Sequence, residues 1–125
     1  VVEAQSEFII RFLPDGKLVF ANEAYSEYFN VERDKLSNTN IFDFVPPEHR
    51  EEFVRHLRML TPEHPIRVAD SHFVSRDWML FQRWQNRAIF NENGEVVEYL
   101  AVGRDITDQK MQKRLSGLPT TISAS

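Results

Sequence analysis

The 125-residue sequence contains no cysteine. That absence removes disulfides, thiolate metal sites, thiol nucleophiles and any photochemistry that attaches a cofactor to sulfur. No GxGxxG or other phosphate-binding loop occurs, and no nucleophile elbow or Ser/His/Asp ordering is present. No apolar run approaches the ~20 residues of a membrane span, and the N-terminus lacks a basic segment followed by an apolar one. Positive charge is not in excess either: 15 Lys and Arg stand against 19 Asp and Glu, for a formal net charge of -4. Without a basic stripe to neutralise phosphates, nucleic acid is disfavoured as a direct partner. The expectation is a cytoplasmic domain that touches neither nucleic acid nor membrane.

What is there is bulky and apolar. Hydrophobic residues make up 42% and aromatics 12%, with ten Phe. A chain of this length can build one such core but not two. The first residue is Val, not Met, and the last nine are Ser/Thr-rich, which leads to the expectation of a domain cut from a longer protein.

Along the chain, residues 8–13 (FIIRFL) and 18–21 (LVFA) read as strands around a Pro14-Asp15-Gly16 turn. Asn22 stands where a helix N-cap would, followed by Ala24, Tyr25, Tyr28 and Phe29 at helical spacing. One further turn is expected around residues 32–36, and Asn40 opens a brief apolar turn, IFDFV. Pro46-Pro47 starts the longest helix, PEHREEFVRHLRML, whose apolar face holds Phe53, Leu57 and Leu60 with Val54 beside them. Residues 66–75 and 76–90 then read as strands, Asn91 to Gly94 as a hairpin loop, and 95–106 as the last strand.

Alternation in the fourth strand puts Gln82, Trp84, Asn86, Ala88 and Phe90 on the core side and Arg83, Gln85, Arg87 and Ile89 outside. In the last strand both parities are apolar: Val96, Leu100, Val102 and Ile106 on one, Val97, Tyr99 and Ala101 on the other. A sheet covered on one side alternates more cleanly. The outer face, to which Arg87, Val97 and Tyr99 are assigned, is therefore expected to be covered as well.

The order of these elements, with PDGKLVFAN, NIFDFVPPEHREEF and WQNRAIFNENGEVVEYLAVGRDITD in sequence, resembles a PAS domain over residues 8–107. The resemblance implies an α+β, profilin-like fold: a five-stranded antiparallel sheet, order 2-1-5-4-3, with helices on one face around a small cavity. Residues 1–7 would form an N-terminal flank, 108–116 the start of an outgoing signalling helix, and 117–125 a linker. The implied role is a non-catalytic sensor or dimerisation module of a bacterial-type signalling protein. Its partners would be a second copy, met through the outer sheet face and N-terminal flank, and a C-terminal histidine kinase or diguanylate cyclase.

On that template the cavity wall falls to Tyr25, Phe29, Phe42, Phe44, Phe53, Leu57 and Phe73, with Gln82, Trp84 and Asn86 as its polar floor. Two amides beside a Trp orient a polar ring or a carboxylate, or they bond to each other, to backbone or to buried water. Met111, Leu115 and Leu118 form a short candidate coiled-coil seam after the exit. Asp105-Ile106-Thr107 would transmit the signal, Asp to a basic or backbone donor and Thr to nearby backbone, with Thr107 or Asp108 suited to capping the outgoing helix.

The cofactor is unknown. Haem is disfavoured because Phe53 aligns with the haem-binding subgroup's axial His, leaving His49 one turn early, and the histidines are expected to face solvent. A cysteinyl flavin adduct is excluded, and non-covalent flavin lacks a visible phosphate site. His49 and His56, two helical turns apart at ~10 Å, do not reach one metal ion. Glu51-Glu52, Glu7 and Asp15 fall on solvated positions that do not suit acid/base work. Two rivals stand beside the sensor: a ligand-free structural PAS dimerisation module, and a small enzyme on a similar helix-covered sheet.

Overall fold

A computed structural model describes residues 7–75 and 78–107, with backbone alone over 72–75 and 78–80. Five antiparallel strands form one sheet in the order β2-β1-β5-β4-β3, as the PAS resemblance implies. They are β1 (Phe8–Phe12), β2 (Leu18–Ala21), β3 (Ile66–Ser75), β4 (Trp78–Phe90) and β5 (Val96–Asp105). Helix α1 (Glu23–Phe29), helix α2 (Pro47–Arg58) and two 3-10 turns, Arg33–Asn38 and Ile41–Phe44, lie between β2 and β3. The expected exit helix, the Met111-Leu115-Leu118 seam and the terminal linker lie outside the described residues.

Local chemistry accounts for the junctions. The Pro14-Asp15-Gly16 turn closes because Gly16 takes φ of 94°, a left-handed value that costs a side-chain-bearing residue more, while Asp15 Oδ1 accepts from Lys17 N at 3.0 Å. Asn22 does cap α1: its Oδ1 accepts from Tyr25 N at 3.0 Å. The same oxygen accepts from Ile9 N at 3.1 Å, and Nδ2 donates to Glu7 O at 2.8 Å. One side chain thus ties the first helix to the first strand. Asn40 repeats the device, accepting from Phe42 N at 2.9 Å and donating to Asp15 O at 2.9 Å.

The core sits between helices and sheet, where Phe8, Ile10, Phe12, Leu18, Tyr25, Ile41 and Leu57 are buried. β4 alternates as expected over 82–88, with Gln82, Asn86 and Ala88 buried and Arg83, Gln85 and Arg87 exposed. β5 does not. Ile89 pairs with Glu98 and Phe90 with Val96, so Val97 is an extra residue in the ladder. Such a bulge turns the following residues over: Tyr99 and Ala101 face inward at 7% and 2% exposure. Tyr99, expected outside, in fact stacks on Phe12 at a centroid distance of 5.1 Å.

Candidate functional site

A cavity of about 300 Å³ opens between α1, α2 and the inner face of the sheet. Of the residues expected there, it is lined by Tyr25 and Phe29 from α1, Phe53 from α2, and Gln82, Trp84 and Asn86 from β4, together with Phe44. Phe42 and Leu57 are not in the lining. Phe42 instead packs edge-on against Phe53 at 5.8 Å, and Leu57 is buried in the core. Phe73 pairs with Leu80 through backbone, and its side chain lies outside the described residues.

The aromatic wall is continuous. Tyr25 meets Phe29 at 4.4 Å and Trp84 at 6.3 Å, the latter edge-to-face. Phe8 stacks on Trp84 at 6.0 Å and meets Phe29 edge-on at 5.9 Å. Trp84 lies flat across Gly103, its cross-strand partner; a Cβ there would fall 2.5 Å from the indole. Only glycine leaves room for the ring.

The floor is polar. Trp84 Nε1 donates to Gln82 Oε1 at 2.9 Å. Asn86 Nδ2 lies 3.4 Å from His56 Nε2, so a neutral imidazole accepts there. Gln82 and Asn86 are 1% and 3% exposed, and a buried polar group left unpaired is costly. Yet Gln82 Nε2 makes no hydrogen bond among the described residues.

The histidines are not all at the surface. His49 and His56 line the cavity on the same helical stripe as Glu52 and Phe53, because residues three, four and seven apart share a helix face. The apolar residues of that stripe, taken alone, conceal this. Burial, then the nearby Arg67 cation, hold His56 below its ordinary 6.5, with Glu52 opposing. Burial likewise raises the Tyr25 and Tyr99 phenols. Among the described residues no group of three or more His, Cys, Asp or Glu could hold a metal ion.

The described lining includes no Lys or Arg, so a flavin phosphate or a haem propionate finds no cationic partner inside it. No described helix is long and apolar enough to cross a membrane.

The exit triplet is clamped to β4. Ile106 N donates to Phe81 O at 2.8 Å, and Phe81 N donates to Thr107 Oγ1 at 3.0 Å. Asp105 Oδ1 accepts from Thr107 N at 2.8 Å. The Thr107 hydroxyl is thus taken by β4 and its amide by Asp105; the outgoing helix that Thr107 or Asp108 is expected to cap lies outside the described residues. Tyr28 Oη donates to Asp105 Oδ2 at 3.5 Å. Burial chiefly raises that phenol, Gln82 pulls it the other way, and the Asp105 charge adds to the rise.

The chain belongs to the PAS fold family, whose profile matches residues 2–111. Similar solved structures include a sensory box sensor histidine kinase from Vibrio cholerae, at 15% identity and TM-score 0.60, with 83% of this chain and 85% of that one covered. The PAS domain of a Colwellia psychrerythraea protein gives 14% and 0.68, covering 82% and 87%. The PAS domain of BvgS from Bordetella pertussis gives 17% and 0.61, covering 90% and 89%. No curated protein matches the chain. At these identities the likeness carries the fold.

Proposed function

We propose that this PAS domain is a non-catalytic, cytoplasmic sensor. A small molecule in the cavity biases the Asp105-Ile106-Thr107 exit, and through it a C-terminal output domain of the histidine kinase or diguanylate cyclase type. One observation carries the reading: Gln82, on the cavity floor, is the neighbour of Phe81, whose N–H and C=O both hold the exit. A shift of β4 that follows the ligand is therefore applied directly to Ile106 and Thr107. Only a ligand that binds two states of this strand unequally transmits anything.

The test is amide hydrogen exchange on the 125-residue chain with a saturating cavity ligand from a fragment screen. Protection should change at Phe81 and Ile106 and stay constant at Asn93 in the far hairpin. A filled cavity with no change at Ile106 leaves the rival, a structural dimerisation module.

Dimerisation through the outer sheet face belongs to the same proposal. Ile66, Val68, Ile89 and Val97 are exposed large apolar residues in β3, β4 and β5, more than a solvated sheet face needs. Sedimentation at high micromolar concentration should give a dimer that Val68→Glu dissociates. A monomeric parent chain removes this part.

A further inference from the structure

One buried donor stands without a partner between the cavity and the exit. Indole N–H only donates, so the atom of Gln82 that meets Trp84 Nε1 at 2.9 Å is the oxygen. The amide nitrogen is left over in a residue 1% exposed, and it makes no hydrogen bond among the described residues. An acceptor stands close by, outside the cavity lining. The Tyr28 phenol feels this amide, which opposes the rise of its pKa, yet the two fall short of hydrogen-bonding geometry. Tyr28 Oη in turn donates to Asp105 Oδ2 at 3.5 Å, a long contact, and Asp105 Oδ1 accepts from Thr107 N at 2.8 Å. Both ends of a path from the cavity to the exit are therefore made, and its middle link is open.

We propose that Tyr28 is a positioning residue of the exit: in a second state of the site its hydroxyl accepts a Gln82 N–H, and one chain of hydrogen bonds then runs from Trp84 through Gln82, Tyr28 and Asp105 to Thr107. Each member has the chemistry this needs. Gln82 accepts through Oε1 and donates through Nε2, a phenol accepts on a lone pair while donating its one proton, and an ionised Asp105 only accepts. Closing the link removes the cost of an unpaired buried donor, and a phenol that accepts becomes a better donor to Asp105. The Tyr28 ring packs on Phe8 at 4.8 Å and on Phe29 at 4.9 Å. Phe29 and Trp84 line the cavity, whereas Tyr28 does not. On the sensing reading above, on which this step rests, a ligand that moves either lining ring opens or closes the link without touching Tyr28. The path enters the exit at Asp105 from α1, apart from the clamp of Phe81 on Ile106 and Thr107.

The test needs no ligand. On the 125-residue chain, Thr107 amide exchange and the Gln82 side-chain amide signals in nitrogen–proton correlation spectra are followed in Tyr28→Phe, in Trp84→Phe and in the double variant. Both substitutions keep a ring and remove only the polar atom's role, and Tyr28 is 39% exposed. Tyr28→Phe should speed Thr107 exchange roughly twofold to tenfold, the range of one net hydrogen bond, and should shift a Gln82 side-chain amide proton, which a purely structural part for Tyr28 would leave in place. Trp84→Phe should speed Thr107 exchange as well. The double variant should exchange no faster than the larger single effect, because the chain of bonds is already cut. Gln82→Met, unbranched and close in size, replaces Trp84→Phe in the cycle should that variant fail to fold. Single effects that multiply in the double variant, or Gln82 signals unmoved by Tyr28→Phe, overturn the role of Tyr28. That failure leaves the sensing reading to the ligand test at Ile106, so the two fall separately.

Discussion

The two faces of the sheet are built on different physics. The inner face is buried: aromatic rings, two buried amides and a glycine that makes room for an indole. The outer face carries ion pairs across strands, with Arg11 held by Glu98 in β5 and Arg83 by Asp70 in β3, the latter at 2.8 Å. Between these pairs stand exposed Val and Ile side chains. Inside, the alternatives are few, because a displaced donor leaves a buried partner unpaired and a ring over Gly103 has neighbours on every side but the cavity. Outside, a broken pair is replaced by hydration and screened by salt. Sensitivity to substitution should follow this division, whereas partner contacts should concentrate on the forgiving face.

The largest test of that contrast is Gly103→Ala. Its methyl would fall 2.5 Å from the Trp84 indole, and the ring must leave its place and its bond to Gln82. Urea denaturation should show a loss of about 3 kcal/mol, the upper range for overpacking. An unchanged midpoint would mean that Trp84 has other room, and that the inner face is looser than described.

Next comes Asn22→Ala, which removes the cap of α1 and both ties from Asn22 to residues 7–9. About 1–2 kcal/mol should be lost. Retained stability would show that packing alone holds the helix layer on the sheet.

A smaller effect is expected from pH. His56 is held below its ordinary 6.5 by burial and Arg67, so below pH 6.5 the unfolded chain binds its proton first. Stability from this group is full above pH 6.5 and is lost as pH falls toward the lowered folded value. His56→Gln should flatten that segment of the stability–pH curve. If the curve keeps its slope, another group is responsible.

The smallest effect should come from the outer face. Arg11→Ala combined with Arg83→Ala should move the midpoint less than Asn22→Ala does, and the difference should fade with added salt. A large, salt-insensitive loss would erase the contrast between the faces.

Much of this architecture is legible in the residues alone. Alternation over residues 82–88 separates Gln82, Trp84 and Asn86 from the arginines between them, and Asn22 and Asn40 announce their caps. The bulge at Val97 is not legible, because an extra valine in a strand apolar on both parities leaves no mark; it moves Tyr99 to the face opposite the expected one. His49 and His56 are hidden differently. On a helix rich in charge, which polar residues meet a cavity depends on how the helix sits on the sheet. Gly103 has nothing to distinguish it from any strand glycine except the Trp84 ring that folding sets across it.

By itself, then, the order of residues determined the local structure: where strands alternate, where side-chain oxygens cap free amides, where the chain turns. These depend on neighbours within a few positions. Only the tertiary structure decided that one amide nitrogen is buried beside a cavity, that Phe81 holds Ile106 and Thr107, and that a glycine exists for an indole. Those facts join residues tens of positions apart, and no local pattern encodes the distance between them.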